Sequence, residues 1–73
     1  MAEIRIRIGP RHYKREWPEG IPVELATAES ALRPVVLGVF NLSKFTLQYI
    51  GGWLWQIRID GHCVGSVVVL TDM

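Results

Sequence analysis

Apolar and charged residues alternate strictly near the start of the chain, in the stretch EIRIRIG. A period of two is typical of a β-strand that buries one face and exposes the other, so we expect Arg5 and Arg7 to point outward. The glycine and proline that follow should end this strand. Residues 3–8 are also a candidate sheet edge, where charges protect against aggregation but a partner peptide could add a strand.

The segment GPRHYKREWPEGIP, residues 9–22, has three prolines and two glycines. This composition predicts a long, basic and mainly irregular loop. A short helical turn beginning at Pro10 would bring Tyr13 and Trp17 together, because residues four apart are neighbours on a helix.

The same segment is the best functional candidate by chemistry. Arg11, Lys14 and Arg15 stand among aromatic rings, a combination that can contact phosphates and stack on bases, or hold an acidic peptide. The alternative is that Trp17 fills the core while the basic residues are solvated. Both interpretations stay open at this point.

The next segment, ELATAESALRP, is the best helix candidate because Leu25, Ala28 and Leu32 fall on one stripe. Thr27 is an alternative N-cap, and Pro34 is expected to end the helix after roughly two to three turns. The apolar run VVLGVF is then predicted to form a buried strand, and NLSK a turn.

The remaining stretches FTLQYI, WLWQIRI and HCVGSVVVL are predicted to form a three-stranded meander joined by Gly-Gly and Asp-Gly turns. Two-residue turns fix the register, and they would pair Ile50 with Trp53 and Ile59 with His62. Gly65 is a candidate bulge that would shift the register after it.

In this register the face that carries the two tryptophans of WLW is predicted to be the core. Neither face is cleanly polar, so either both are covered or an apolar patch is exposed. We take the opposite face as a candidate docking surface. Its members are Phe45, Leu47, Tyr49, Gln56 and Arg58.

These elements predict an α+β domain that is mostly β, with an antiparallel sheet of four or five strands and one short helix. The chain has 73 residues, which corresponds to one domain spanning residues 1–73. No apolar run approaches the length of a membrane span, and the N-terminus lacks the apolar region of a signal peptide. The single cysteine agrees with a cytoplasmic protein.

Candidates for catalysis are few, and they do not converge. Cys63 and His62 are adjacent on a predicted strand and therefore point to opposite faces. One cysteine and two distant histidines fall short of the ligands a metal site needs. We therefore expect no enzyme activity, no cofactor and no metal, and we expect Cys63 to be a small buried hydrophobe.

The net charge is only +1, but five basic residues lie within the first 20 positions. In its length and in the stretches EIRIRIG and WLWQIRIDGHCVG, the chain resembles a small RNA polymerase-binding transcription regulator of a lytic Xanthomonas bacteriophage. The resemblance implies a cytoplasmic protein of the infected cell that binds bacterial RNA polymerase near the N-terminus of its β′ subunit. It implies inhibition of initiation and read-through at terminators.

The binding residues are predicted from the pattern alone, because the resemblance assigns none. Two other functions remain open: a nucleic-acid-binding module that uses the loop at residues 11–17, and a phage inhibitor of a bacterial defence complex. The free protein is expected to be a monomer with no membrane contact. The predicted partner-binding residues are Arg5, Arg7, Arg11, Lys14, Arg15, Phe45, Leu47, Tyr49, Gln56 and Arg58.

Overall fold

A computed structural model describes residues 2–39 and 44–71 of the chain. These residues form one five-stranded antiparallel sheet, in the order β2-β1-β5-β4-β3, and one helix. The prediction of an α+β, mostly β domain is confirmed. The elements are β1 (Ala2–Ile8), β2 (Arg11–Glu16), α1 (Leu25–Val39), β3 (Thr46–Gly51), β4 (Leu54–Ile59) and β5 (His62–Thr71).

The core lies between α1 and one face of the sheet, which we call the helix face. At its centre β1 pairs with β5, so that Ile4 lies opposite Val69 and Ile6 opposite Val67. All four side chains are buried, and each isoleucine contributes about 1.5–3 kcal/mol through burial. The alternation in EIRIRIG therefore predicted both the strand and its buried side.

The helix is longer than expected and contains Pro34 in its interior. The predictions that Pro34 ends the helix and that VVLGVF forms a strand are wrong for the described residues. An interior proline costs about 3 kcal/mol, but Val36 continues the stripe of Ala28, Ala31 and Leu32 and is completely buried. Burial of this longer stripe outweighs the cost. The prediction of a turn at NLSK falls mostly on residues 40–43, outside the described residues.

Residues 11–16 form the edge strand β2 rather than a loop or a helical turn. Gly9 and Pro10 make a two-residue turn that pairs Ile8 with Arg11. Gly9 has a φ of +59°, and a positive φ followed by the negative φ of proline is the combination that a type II′ hairpin turn requires. Because β2 takes the edge, the prediction that β1 lies there is wrong.

The turn between β3 and β4 differs from the predicted one by one residue. Its central residues are Gly52 and Trp53, both with a φ of 59°, as a type I′ turn requires. Leu54 pairs with Gly51, and Tyr49 with Trp55, so the predicted pairing of Ile50 with Trp53 is wrong. The shifted turn changes the pairing by two residues, and a bulge at Ile50, between Tyr49 and Gly51, restores one of them. The net slip of one residue moves the side chains of β3 before the bulge to the other face.

This slip places Phe45 and Leu47 in the core, where only 3% and 8% of their surface is exposed. The prediction that they belong to a docking surface is therefore wrong. The prediction that the tryptophan face is core is confirmed for Trp55 and Ile57, which are buried, while Trp53 is half-buried at the turn.

The turn between β4 and β5 has the predicted register, with Ile59 opposite His62. A bulge follows, because Arg58 pairs with Cys63 but Ile57 pairs with Gly65, which leaves Val64 as the extra residue. The bulge thus lies one position before the predicted Gly65. Cys63 precedes the bulge and pairs with Arg58 on the side of the sheet away from the helix. The prediction of a buried thiol is therefore wrong, and Cys63 is exposed.

No described helix or strand packs on the other side of the sheet, which we call the open face. Within residues 2–39 and 44–71, no helix is both long and apolar enough to cross a membrane. The open-face residues are Glu3, Arg5, Arg7, His12, Lys14, Glu16, Thr46, Gln48, Leu54, Gln56, Arg58, Cys63, Ser66, Val68 and Leu70.

Candidate functional site

The open face has two halves, of which one carries three basic and two acidic side chains and the other carries a single charged residue. We call them the basic half and the neutral half. On β1 and β2 the register places Arg5 opposite Lys14 and Arg7 opposite His12. These side chains stand on exposed strand positions, so their charges face water. The other half, on β5, β4 and β3, carries uncharged residues apart from Arg58.

A shallow groove of about 300 Å³ runs along the basic half between β2, β1 and β5. Its floor includes Ser66 and Val68 on β5, and its walls are the basic side chains of the two neighbouring strands. We call this feature the basic groove. Its open-face residues are Arg5, Arg7, His12, Lys14, Ser66 and Val68.

The three basic side chains that β1 and β2 place on the open face differ in whether a carboxylate balances them. The Arg5 Nε donates to Glu3 Oε2 at 2.7 Å, an exposed ion pair along β1. Arg7 and Lys14 make no ion pair with any other described residue. Their charges are thus available to an anionic partner.

Like charges directly opposite each other on neighbouring strands are destabilising, by about 0.2–1 kcal/mol. This sheet contains two such pairs side by side, Arg5 with Lys14 and Glu3 with Glu16. A hairpin selected for stability alone would alternate the signs. The repulsion between Arg5 and Lys14 therefore opposes the stability of the hairpin, and the diagonal neighbours Glu3 and Glu16 offset part of it.

The remaining open-face cation, Arg58, is held in one position. Its guanidinium donates to Gln56 Oε1 at 3.0 Å and to the carbonyl of Gly61 at 2.7 Å. Both Gln56 and Arg58 were predicted docking residues, and they lie on the open face together with Arg5, Arg7 and Lys14.

The other predicted docking residues lie elsewhere. Arg11 and Arg15 are exposed but pair with Ile8 and Ile4, so they border the helix face. The Arg15 guanidinium lies 5.9 Å from the centre of the Tyr13 ring. The structure therefore separates the basic residues of β2 onto two sides of the sheet.

Tyr49 also lies on the helix face, at the β3–β4 end of the sheet. Its ring centre is 4.9 Å from that of Trp55, and 45% of its surface is exposed. Its hydroxyl accepts the backbone N–H of Trp53 at 3.4 Å. The ring supports the turn and also presents an apolar surface.

Trp17 is buried at the end of β2, and its indole N–H donates to the carbonyl of Ile21 at 2.8 Å. This confirms the interpretation of Trp17 as a core residue. A broad depression of about 1110 Å³ lies beside it. It is lined by three carboxylates and three basic groups, so it has no preference for either sign: Glu3, Glu16, Glu19, Arg5, Lys14 and Arg15.

Sequence reasoning missed His12, Ser66 and Val68 as members of the site. His12 was hidden because residues 9–22 were interpreted as a loop. The Gly-Pro pair is compatible with a hairpin turn but does not by itself mark RHYKRE as a strand. In the register predicted from the Asp-Gly turn, Ser66 and Val68 would lie on the tryptophan face, and the bulge at Val64 moves them to the open face. The candidate bulge at Gly65 was the signal for that change.

Among the described residues, no group of three or more His, Cys, Asp or Glu side chains is placed to hold a metal ion. No protein-family model, curated protein or solved structure matches the chain.

Proposed function

We propose that this chain is a non-catalytic regulator that binds bacterial RNA polymerase, inhibits initiation and promotes terminator read-through. The resemblance of the sequence to a phage transcription regulator supplies the target, with the N-terminal region of the β′ subunit as the expected contact. The observation that supports binding most directly is the open face, which carries the basic groove and is uncovered by any described element.

The charge pattern of the open face favours an acidic protein surface as the partner. Arg7 and Lys14 have no carboxylate partner in the described structure, so a complementary surface gains their full electrostatic attraction. The neutral half adds half-buried apolar side chains, Leu54 and Val68, which can be desolvated without stranding a charge. Steering by the basic half and burial by the neutral half are the two parts of a specific interface.

The test compares two double charge reversals on neighbouring positions of the hairpin. Arg7→Glu with Lys14→Glu reverses the open face, whereas Arg11→Glu with Arg15→Glu makes the same change in charge on the opposite side of β2. Each protein is titrated against purified bacterial RNA polymerase and against an isolated β′ N-terminal fragment. Promoter-dependent initiation and terminator read-through are measured in parallel.

We expect the open-face variant to bind at least tenfold more weakly and to lose both transcription effects, because two attractions become repulsions. The matched variant should stay within about threefold of the unchanged protein. Failure of the unchanged protein to bind polymerase would disprove the proposal. Equal loss in both variants would show that net charge, and not the open face, governs binding.

A nucleic-acid-binding module is the second candidate, favoured by the basic groove alone. Proteins that bind single-stranded nucleic acid without sequence preference usually combine a basic groove with aromatic rings on which the bases stack. On the described open face there is no Tyr, Trp or Phe, because the hairpin directs Tyr13 and Trp17 to the helix side. This absence favours a protein partner.

Titration of a labelled single-stranded oligonucleotide at increasing salt tests the second candidate. Phosphate contacts predict an affinity that falls steeply with salt and is lost in the Arg7→Glu, Lys14→Glu protein. Absence of binding at low salt would eliminate it.

A further inference from the structure

The two edges of the sheet carry opposite kinds of side chain. The edge strand β2 has the sequence RHYKRE, in which four of six residues are charged. The edge strand β3 has the sequence TLQYIG, in which none is charged. Alternate residues of an edge strand direct unpaired N–H and C=O groups outward, where another chain can pair with them. Charged side chains on the edge strand usually oppose such pairing. Thus β3 lacks the protection that β2 has.

We infer that β3 pairs with β3 of a second copy of this chain, forming a dimer with one continuous ten-stranded sheet. This inference is independent of the proposed function, and it replaces the expectation of a monomer. A two-fold axis at Gln48 pairs the strand antiparallel with itself over the regular part of β3 that precedes the bulge at Ile50. Leu47 then faces Tyr49 of the second copy.

The side chains of β3 suit this self-pairing on both faces. On the helix face, Tyr49 is 45% exposed and would cover the edge of the opposite Leu47. The two Gln48 amides meet at the axis, where each has a donor and an acceptor for the other.

No like charges are brought together by this register. Lys44 lies just before the strand, so the lysines of the two copies would lie at opposite ends of the paired segment. A net charge of +1 per chain adds little long-range repulsion. The neutral strand therefore meets itself without the repulsion that charged edge strands produce.

A second copy fits the edge better than an open chain of copies, because the two-fold pairing is closed. Each chain uses β3 once, and the charged β2 strands are left as the two ends of the sheet. Side chains of directly paired residues share a face, so both open faces lie on one side of the dimer. The two basic grooves would then form parts of one surface.

The mass of the protein in solution tests the inference directly. Sedimentation is measured from about 10 μM to about 1 mM, a range that detects the weak association of a small interface. We expect the mass to rise from 8.3 kDa to twice that value. A mass of 8.3 kDa throughout the range would overturn the inference.

Charge substitutions at the axis identify the interface. Gln48→Lys and Gln48→Glu, each alone, place two like charges in contact and should raise the dimer dissociation constant roughly fivefold or more. An equimolar mixture of the two should recover a heterodimer at least as tight as the unchanged dimer. His12→Lys, an equivalent change on β2, is the control and should have no effect.

Two results would assign any observed dimer to another surface and so overturn the inference: an unchanged dissociation constant in both Gln48 variants, or no recovery in their mixture. Gln48 is exposed, so both variants should fold, which circular dichroism checks. In a mixture of isotope-labelled and unlabelled chains, contacts between the Leu47 methyl groups and the Tyr49 ring of the other chain provide an independent measurement.

Discussion

The helix face and the open face are built from alternate residues of the same five strands, yet they have different physical roles. The helix face is apolar and aromatic, and its side chains at Ile4, Ile57 and Val67 have no exposed surface. The open face places Arg5 opposite Lys14 at a cost to stability. The side chains of the helix face therefore stabilise the fold, which leaves the open face free to carry the charges that binding requires.

The largest difference in the free energy of unfolding is expected between substitutions at two adjacent residues of β4 that point to opposite faces. Ile57→Ala should lower the free energy of unfolding by about 2–5 kcal/mol, because it leaves a cavity beneath α1. Gln56→Ala should change it by less than about 0.5 kcal/mol. Denaturant unfolding of the two variants measures both values, and similar losses would refute the division between the faces.

The second effect concerns Gly65, where the helix face has no side chain. A Cβ atom there would lie 2.3 Å from the carbonyl oxygen of Arg7, so the glycine permits the close approach of β1 to β5. Gly65→Ala should cost about 1–3 kcal/mol, because backbone must move to relieve the overlap. Ser66→Ala is the control and should unfold near the unchanged midpoint.

On the open face we expect a smaller change in the free energy of unfolding, and this change is an increase. Lys14→Glu converts a repulsion with Arg5 into an attraction and should stabilise the protein by about 0.5 kcal/mol. The same change should weaken polymerase binding. Arg15→Glu, whose cross-strand neighbour is Ile4, lacks this relief. A Lys14→Glu protein that is less stable than the Arg15→Glu protein would contradict the idea that the repulsion between Arg5 and Lys14 opposes the stability of the hairpin.

The smallest effect should be found at Cys63, on the exposed side of the bulge. Cys63→Ser should change the free energy of unfolding by less than about 0.5 kcal/mol. In the folded protein the thiol should react with an aromatic disulfide reagent about as fast as in denaturant, because it is exposed. Strong protection of the thiol from the reagent in the folded state would mean that Cys63 is buried in the core.

The sequence predicted the elements whose signals are local. The Asp-Gly turn defines the register of β4 and β5, and strict alternation defines the outward direction of Arg5 and Arg7. These signals depend on dipeptide geometry and on one buried face. They were sufficient for the fold class and for the basic residues of β1.

The errors arose where tertiary contacts override local preference. A tryptophan in the left-handed region costs about 1–2 kcal/mol, so no local rule predicts Trp53 as a turn residue. It is held by its ring contact with Trp55, 6.0 Å between centres, and by the N–H of Val69 donating to its carbonyl. Together with the bulge at Ile50, this turn produces the slip in register that removed Phe45 and Leu47 from the predicted docking surface.

The edge strand β2 was missed for a different reason. It is exposed along almost its whole length, so burial imposes no apolar period on RHYKRE. Only its pairing with β1 marks it as a strand. An edge strand that carries charges on both sides is difficult to distinguish from a loop by composition.

The strand order has a consequence for the way the chain folds. The hairpins β1–β2 and β3–β4 can each form from nearby residues, but only β5, at residues 62–71, joins them into one sheet. Isolated two-stranded hairpins are marginally stable in water. Until β5 leaves the ribosome, the helix has no complete surface to cover, so folding should be cooperative and should follow synthesis of the last strand.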